Sequence, residues 1–388
     1  MTSNERKTIS RLFNKIISVS GKPPAHLHEP KLGNRDIINI NSCIKSGYIS
    51  SDGKFINEFE KKICSLTKSK YSVALVNGTS ALHLSLRAIG VKKNDEVLLP
   101  SLNFIAAANS ILYCDATPHF IEISEKTLFI DEIKLKKYLE KIIIKKKNYS
   151  INKKTGRIIR AAIPIYTFGH MGNIILIKKI LKSYNIKIIE DAAEALGSFY
   201  NKKHAGTFGD IGILSFNGNK IISTGGGGAI ITSKKNLADK IRHISKVSKK
   251  KHLWKFNFDE LGFNYRLPNL NAALGCSQID KLQHFLKKKR ELRDKYLKVF
   301  RNEKNIHLFL ENKNSRSNYW LQTIIIRGYS KNFLKNFLNY CNYKKLFLRP
   351  AWSLLHKTKY LRKFPRMNLS VTEKMHNKII NLPSSCYK

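Results

Sequence analysis

Lys220 stands apart from the other lysines of this chain because of its neighbours. It closes the segment Ser215-Phe216-Asn217-Gly218-Asn219-Lys220, and the glycine run Gly225 to Gly228 follows shortly after. Small residues before it and an apolar pair after it allow close backbone approach, and a lysine amine in such a place can form a Schiff base. Upstream, Ile188-Ile189-Glu190-Asp191-Ala192-Ala193-Glu194-Ala195 puts a carboxylate directly after an apolar strand. There Asp191 could meet the nitrogen of a pyridinium ring; it would serve equally as N-cap of Ala192 to Leu196. Together the two motifs point to pyridoxal chemistry.

Two further turns belong with them. Val76-Asn77-Gly78-Thr79-Ser80-Ala81-Leu82 follows an apolar strand and opens an amphipathic helix, so the amides of Gly78, Thr79 and Ser80 would point at an anion such as a cofactor phosphate. The same turn reads as a plain strand-to-helix junction with Thr79 or Ser80 as N-cap. Pro100-Ser101-Leu102-Asn103-Phe104-Ile105-Ala106 ends the next strand, where Phe104 could cover a planar ring or be ordinary core.

Positioning these turns requires buried strands. Apolar runs at 71–76, 96–100, 118–123, 160–165, 186–190, 212–216 and 229–232 show little polar alternation, which predicts burial on both faces. Helical periodicity lies between them, as at 81–89 and 175–184, so the pattern is α/β with a largely parallel sheet covered on both sides. Lysine-rich 141–155 reads as a surface insertion or extended loop. The strand-helix rhythm fails after about residue 255, leaving helical segments over 269–300, a strand over 318–327 and a polar tail. The expected division is a large domain over 1–255, with an N-terminal arm at 1–30, and a smaller α+β domain over 256–388.

A length of 388 residues with 42% hydrophobic content suits a globular protein of about two domains. No apolar run approaches the ~18 residues that span a bilayer, and the first twenty residues lack a hydrophobic signal core, so the expected location is the cytoplasm, off the membrane. Cys43, Cys64, Cys114, Cys276, Cys341 and Cys386 form no Cys-x-x-Cys pair, and no His cluster has ligand spacing, so neither a metal site nor a disulfide framework is expected. The net charge of +44 is spread along the chain and travels with Ile and Asn. No aromatic-interleaved basic stripe accompanies it, which argues against nucleic acid as partner while still favouring anionic substrates such as nucleotides.

The ordered set Gly47-Tyr48-Ile49-Ser50-Ser51, Asn77 to Leu82, Glu190 to Ala195, Phe208-Gly209-Asp210, Ser215 to Lys220 and Gly262-Phe263-Asn264-Tyr265-Arg266 resembles the DegT/DnrJ/StrS aminotransferases, nearly end to end. Leu98 to Phe104, Arg349-Pro350-Ala351-Trp352 and Asn381 to Ser385 resemble the branch that makes amino sugars for legionaminic acid, bacillosamine and related surface glycans.

That resemblance implies an aspartate aminotransferase-like fold, pyridoxal phosphate fold type I, with a mostly parallel seven-stranded sheet. It implies pyridoxal 5'-phosphate as cofactor, with Lys220 as the Schiff-base lysine and Asp191 at the ring nitrogen. Gly78, Thr79, Ser80 and Ser215 would hold the phosphate, Phe104 would stack on the ring, and Glu194 would sit near its hydroxyl. Asn264 and Arg266 would reach into a neighbour's site, making a homodimer, and Ser51, Tyr166, Arg266 and Arg349 would face the sugar substrate. The implied reaction moves nitrogen from glutamate to a nucleotide-linked 4-keto-6-deoxy hexose, carried on UDP or GDP. Alternatives are a perosamine synthase-like activity, another sugar of the family, or a non-catalytic regulator on the same fold; the dehydratase relatives carry His where this chain has Lys220. The chain departs from the common pattern at Gly226, where many members have Glu, and at Ala107, where Thr is frequent.

Overall fold

The apolar runs form one seven-stranded sheet in the computed structural model, which describes residues 2–385: β1 (Tyr71–Leu75), β2 (Glu96–Pro100), β3 (Thr117–Ile121), β4 (Ile159–Ala162), β5 (Lys187–Asp191), β6 (Ile211–Ser215) and β7 (Gly228–Thr232). Their spatial order is β1-β7-β6-β5-β4-β2-β3. β7 runs antiparallel to both its neighbours, and every other pairing is parallel. The six remaining strands thus share one direction, and their carboxyl ends lie along one edge. β2, β3 and β7 are buried along their whole length, which is why these stretches carry no polar alternation.

Helices close both faces. Gly78–Ala88 is buried at every position from Ser80 to Leu86, as expected of a helix wedged against a sheet with others over it. Lysine-rich 141–155, expected as a loop, is instead the end of a helix and a two-stranded hairpin, Ile143–Lys145 against Ser150–Asn152. The hairpin is anchored where Asn152 donates to the Glu96 carboxylate at 2.9 Å.

A second sheet, β8 (Ile306–Leu308), β9 (Gln322–Ile326), β10 (Arg349–Pro350) and β11 (Ile379–Leu382), is antiparallel in the order β8-β9-β11-β10. The tail expected to be polar therefore contributes β11, wholly buried and paired with β9. Beside this sheet lies a separate hydrophobic core. Ile9, Leu12 and Ile16 of helix Ser3–Ser20 meet Tyr296, Phe300, Phe333 and Phe337 from helices Leu282–Phe300 and Lys331–Tyr343. The N-terminal helix thus packs on C-terminal elements. Lys15 adds a bond to the Val299 carbonyl at 2.9 Å and an ion pair with Glu303 at 2.7 Å.

Among the described residues no helix is long and apolar enough to cross a membrane. The five described cysteines are free thiols, four of them buried, and Cys386 lies outside the described residues.

Candidate active site

Turns leaving the carboxyl ends of parallel strands meet at one place, as ligand sites of α/β sheets do. A cleft of about 360 Å³ opens there, and its wall takes Thr79 after β1, Phe104 after β2, Ile165 after β4, Asp191 and Ser215 at the ends of β5 and β6, and Lys220.

The turn after β1 is shaped by its neighbours. Asn77 caps the helix: its side-chain oxygen accepts from the Ser80 amide at 2.7 Å. The N-cap is therefore Asn77, neither Thr79 nor Ser80. This bond also occupies the Ser80 amide, and Ser80 is absent from the cleft wall, so the anion-facing amides are those of Gly78 and Thr79. Glycine is required next door. A Cβ on Gly228 would stand 2.4 Å from the carbonyl carbon of Asn77, and one on Gly78 would stand 3.2 Å from Cβ of Ser215.

Three ionisable groups face one another inside. The Asp191 carboxylate accepts from the Ala193 amide at 3.1 Å, a local turn bond, while lining the cleft. Burial raises its pKa above the ordinary carboxylate value, opposed by that amide and by the Lys220 charge. Glu194 accepts from the Phe168 amide at 2.8 Å and from Lys220 Nζ at 3.4 Å. Burial raises its pKa too, with the Lys220 charge as the main opposing influence. Among the described residues Lys220 is the lysine of the cleft wall, in contact with the Glu194 carboxylate and with the charge of Asp191 near it.

Aromatic residues form the remaining wall. Phe104 is half exposed and meets Trp352 edge-on, with centroids 6.3 Å apart. Trp352 stacks on Phe168 at 5.1 Å, and Trp320 lies beside Lys220. Both tryptophans were missed as site residues by sequence reasoning. Composition held a signal, since the chain has three tryptophans and two of them line the cleft. Asn103 was missed as well. Its side-chain nitrogen is buried in the cleft wall without a hydrogen-bond partner. Such a donor costs roughly 1–3 kcal/mol unless a ligand accepts from it.

Five expected residues lie elsewhere. Tyr166 is fully buried and donates its hydroxyl to the Glu190 carboxylate, so it does not reach the cleft. Arg266 is buried and pairs through one guanidinium nitrogen with Glu60 at 3.0 Å, while its Nε has no hydrogen-bond partner. Ser51 sits in the turn before helix Lys54–Thr67, and Arg349 is exposed in β10 opposite Asn381; neither lines the cleft. Asn264 is exposed and forms an isolated antiparallel bridge with Lys246, also outside the cleft. For a metal, His243, Asp259 and Glu260 are the group with ligand spacing among the described residues, their donor atoms within 4.8 Å, but Lys240 already pairs with Glu260 at 2.6 Å.

The cleft residues fit pyridoxal phosphate. They offer an amine for its aldehyde, a carboxylate for its ring nitrogen, two helix-terminal amides for its phosphate, and an unpaired Asn103 donor.

The DegT/DnrJ/EryC1/StrS aminotransferase family matches residues 30–386. A GDP-perosamine synthase of Escherichia coli O157:H7 is 33% identical over 361 residues, covering 92% of both chains. A UDP-4-amino-4,6-dideoxy-N-acetyl-beta-L-altrosamine transaminase of Campylobacter jejuni is 35% identical, covering 76% of this chain and 71% of its own. In fold, the chain is similar to the Helicobacter pylori aminotransferase PseC, involved in the biosynthesis of pseudoaminic acid, with a TM-score of 0.82, 24% identity and coverage of 92% and 93%. The chain belongs to the DegT/DnrJ/EryC1/StrS family and is a pyridoxal-phosphate-dependent sugar aminotransferase.

Proposed function

We propose that this enzyme transfers the amino group of glutamate to C4 of a nucleotide-linked 4-keto-6-deoxy hexose, giving a 4-amino-4,6-dideoxy sugar for a surface glycan. The observation that carries this reading is Lys220 Nζ at 3.4 Å from Glu194, in the cleft that Asp191 also lines. The relatives add the substrate class: one is named for a GDP-linked amino sugar and one for a UDP-linked 4-amino-4,6-dideoxy sugar.

Bound pyridoxal phosphate supplies the amino carrier and the electron sink. Lys220 would hold the cofactor through Nζ, and its amine, anchored in the same cleft, would move the proton at the reacting carbon at high effective concentration. Asp191 keeps a proton at the ring nitrogen, and its burial strengthens that pairing by excluding water. One oxygen of Glu194 is fixed by the Phe168 amide; the other, which meets Lys220 Nζ at 3.4 Å, would face the ring hydroxyl once that amine is joined to the cofactor. Gly78 and Thr79 receive the phosphate, with Ser215 beside them.

The working unit on this reading is a homodimer. Its support is an exposed apolar stretch close to Asn264 in sequence: Leu253 at 98% exposure, with Trp254, Phe256 and Phe258 also exposed. Asn264 is then the residue offered to the neighbour, since Arg266 is already paired with Glu60.

The test is an absorbance spectrum of the purified protein before and after glutamate, followed by a panel of UDP-, GDP- and dTDP-linked 4-keto-6-deoxy hexoses with product mass analysis. A cofactor band that shifts with glutamate, and a sugar product heavier by an amine exchange at C4, support the reading. A protein that takes up no cofactor overturns it in favour of a regulator.

A further inference from the structure

Trp320 lies against the amine of Lys220, whose Nζ is 4.0 Å from the ring centroid. Its indole N–H donates to the Asn219 carbonyl at 2.7 Å, one residue before Lys220. The tryptophan is itself fixed at both backbone ends. Its amide donates to Asn318 Oδ1 at 2.8 Å, and its carbonyl accepts from the buried Lys289 ammonium at 2.8 Å. Asn318 in turn donates to the Glu194 and Leu196 carbonyls at 2.9 and 3.0 Å. Trp320 therefore ties the turn that carries Lys220 to the turn that carries Glu194, and at 4% exposure it has no room to swing away.

A cation over an indole face is attracted by the ring's quadrupole, more strongly where water is excluded. The titratable groups that face Lys220 are the carboxylates of Glu194 and Asp191 and the imidazole of His28, which the Lys289 ammonium also faces. Lys289 is turned to the carbonyls of Trp320 and Ser384. Burial and then the Lys289 charge hold His28 neutral, pushing its pKa well below the ordinary value. The ammonium of Lys220 is thus placed between one carboxylate and one aromatic face.

We propose that Trp320 is a positioning residue for Lys220: its ring and the Glu194 carboxylate form the seat that the lysine amine occupies when it is not joined to the cofactor. This rests on Lys220 being the reactive amine. The seat keeps Nζ next to the reacting carbon and limits the number of places a long, flexible side chain can visit.

The experiment uses cofactor-free protein, with trace acetylation by acetic anhydride read by mass spectrometry of the Lys220 peptide, from about pH 7.5 to about pH 10.5. Wild type is compared with Trp320→Phe, which keeps an aromatic face, and Trp320→Leu, which does not; Trp320→Met replaces the leucine variant if that fails to fold by circular dichroism. The expected result is about tenfold faster acetylation of the aliphatic variant at the lower pH, a ratio that falls toward one as pH rises, and a phenylalanine variant within about twofold of wild type. An aliphatic variant that matches wild type overturns the proposal. So does an excess that persists at the upper pH, which reports access alone, or a phenylalanine variant as fast as the aliphatic one. Failure of the aminotransferase reading would appear separately, as absent cofactor absorbance in the loaded protein.

Discussion

The Tyr166 hydroxyl donates to the Glu190 carboxylate, and Glu190 also accepts from the amides of Gly206, Phe208 and Gly209. Both side chains are fully buried, so the pair stabilises the floor of the fold instead of meeting a sugar. Tyr166→Phe leaves a buried carboxylate short of one donor. It should lower stability by about 1.5–3 kcal/mol with the sugar KM unchanged, read by urea unfolding beside steady-state kinetics. A raised KM at unaltered stability would return Tyr166 to the substrate.

Gly228 and Gly226 differ although they share one run. A Cβ on Gly228 meets the Asn77 backbone, whereas one on Gly226 has its nearest neighbour, the Val76 carbonyl oxygen, at 3.8 Å. Gly228→Ala should cost about 1–3 kcal/mol and weaken cofactor binding, because the Gly78–Thr79 turn must move. Gly226→Ala should lie within about 0.5 kcal/mol of wild type. Thermal melts with cofactor titrations compare the two.

Asp191 gives a pH prediction with a definite sign. Its folded pKa is raised by burial, so the folded state holds more protons than the unfolded one above the ordinary carboxylate value. Its contribution to stability therefore falls as pH rises from about 4 toward the raised value, and is flat beyond it. In cofactor-free protein, Asp191→Asn should gain melting temperature over wild type across that window, while turnover of the loaded enzyme drops by about 100-fold or more. A difference in melting temperature independent of pH would refute the assigned sign.

Shared sites can be tested by mixing. Lys220→Ala and Asn264→Ala homodimers should each be inactive or weak. Unfolded together and refolded, they should recover roughly a quarter of wild-type activity, because half the dimers are mixed and each of those carries one complete site. No recovery would place Asn264 outside the neighbour's site.

Much of the fold is legible locally. Six of the seven strands appear as apolar runs within two residues of their observed ends, and the run at 160–165 overshoots β4 by three, since burial on both faces removes the need for polar alternation. The turns at Thr79, Asp191, Ser215 and Lys220 are legible for a related reason: a strand end followed by small or polar residues is a local event. Trp320 and Trp352 are not, because they come from the region after residue 300 and only tertiary packing returns them to the cleft. Arg266 and Tyr166 mislead for the same reason. Their acidic partners, Glu60 and Glu190, lie 206 and 24 residues away in sequence, and nothing near either residue announces the pairing.

The seat of helix Ser3–Ser20 has a consequence for how the polypeptide is made. Ile9, Leu12 and Ile16 find their apolar partners on helices that end at residues 300 and 343. At ribosomal speeds of roughly 5–20 residues per second, that first helix waits roughly 15–60 s before its docking surface has been synthesised. Throughout that interval a greasy stripe is open to solvent and to other nascent chains, while the central sheet is already able to assemble.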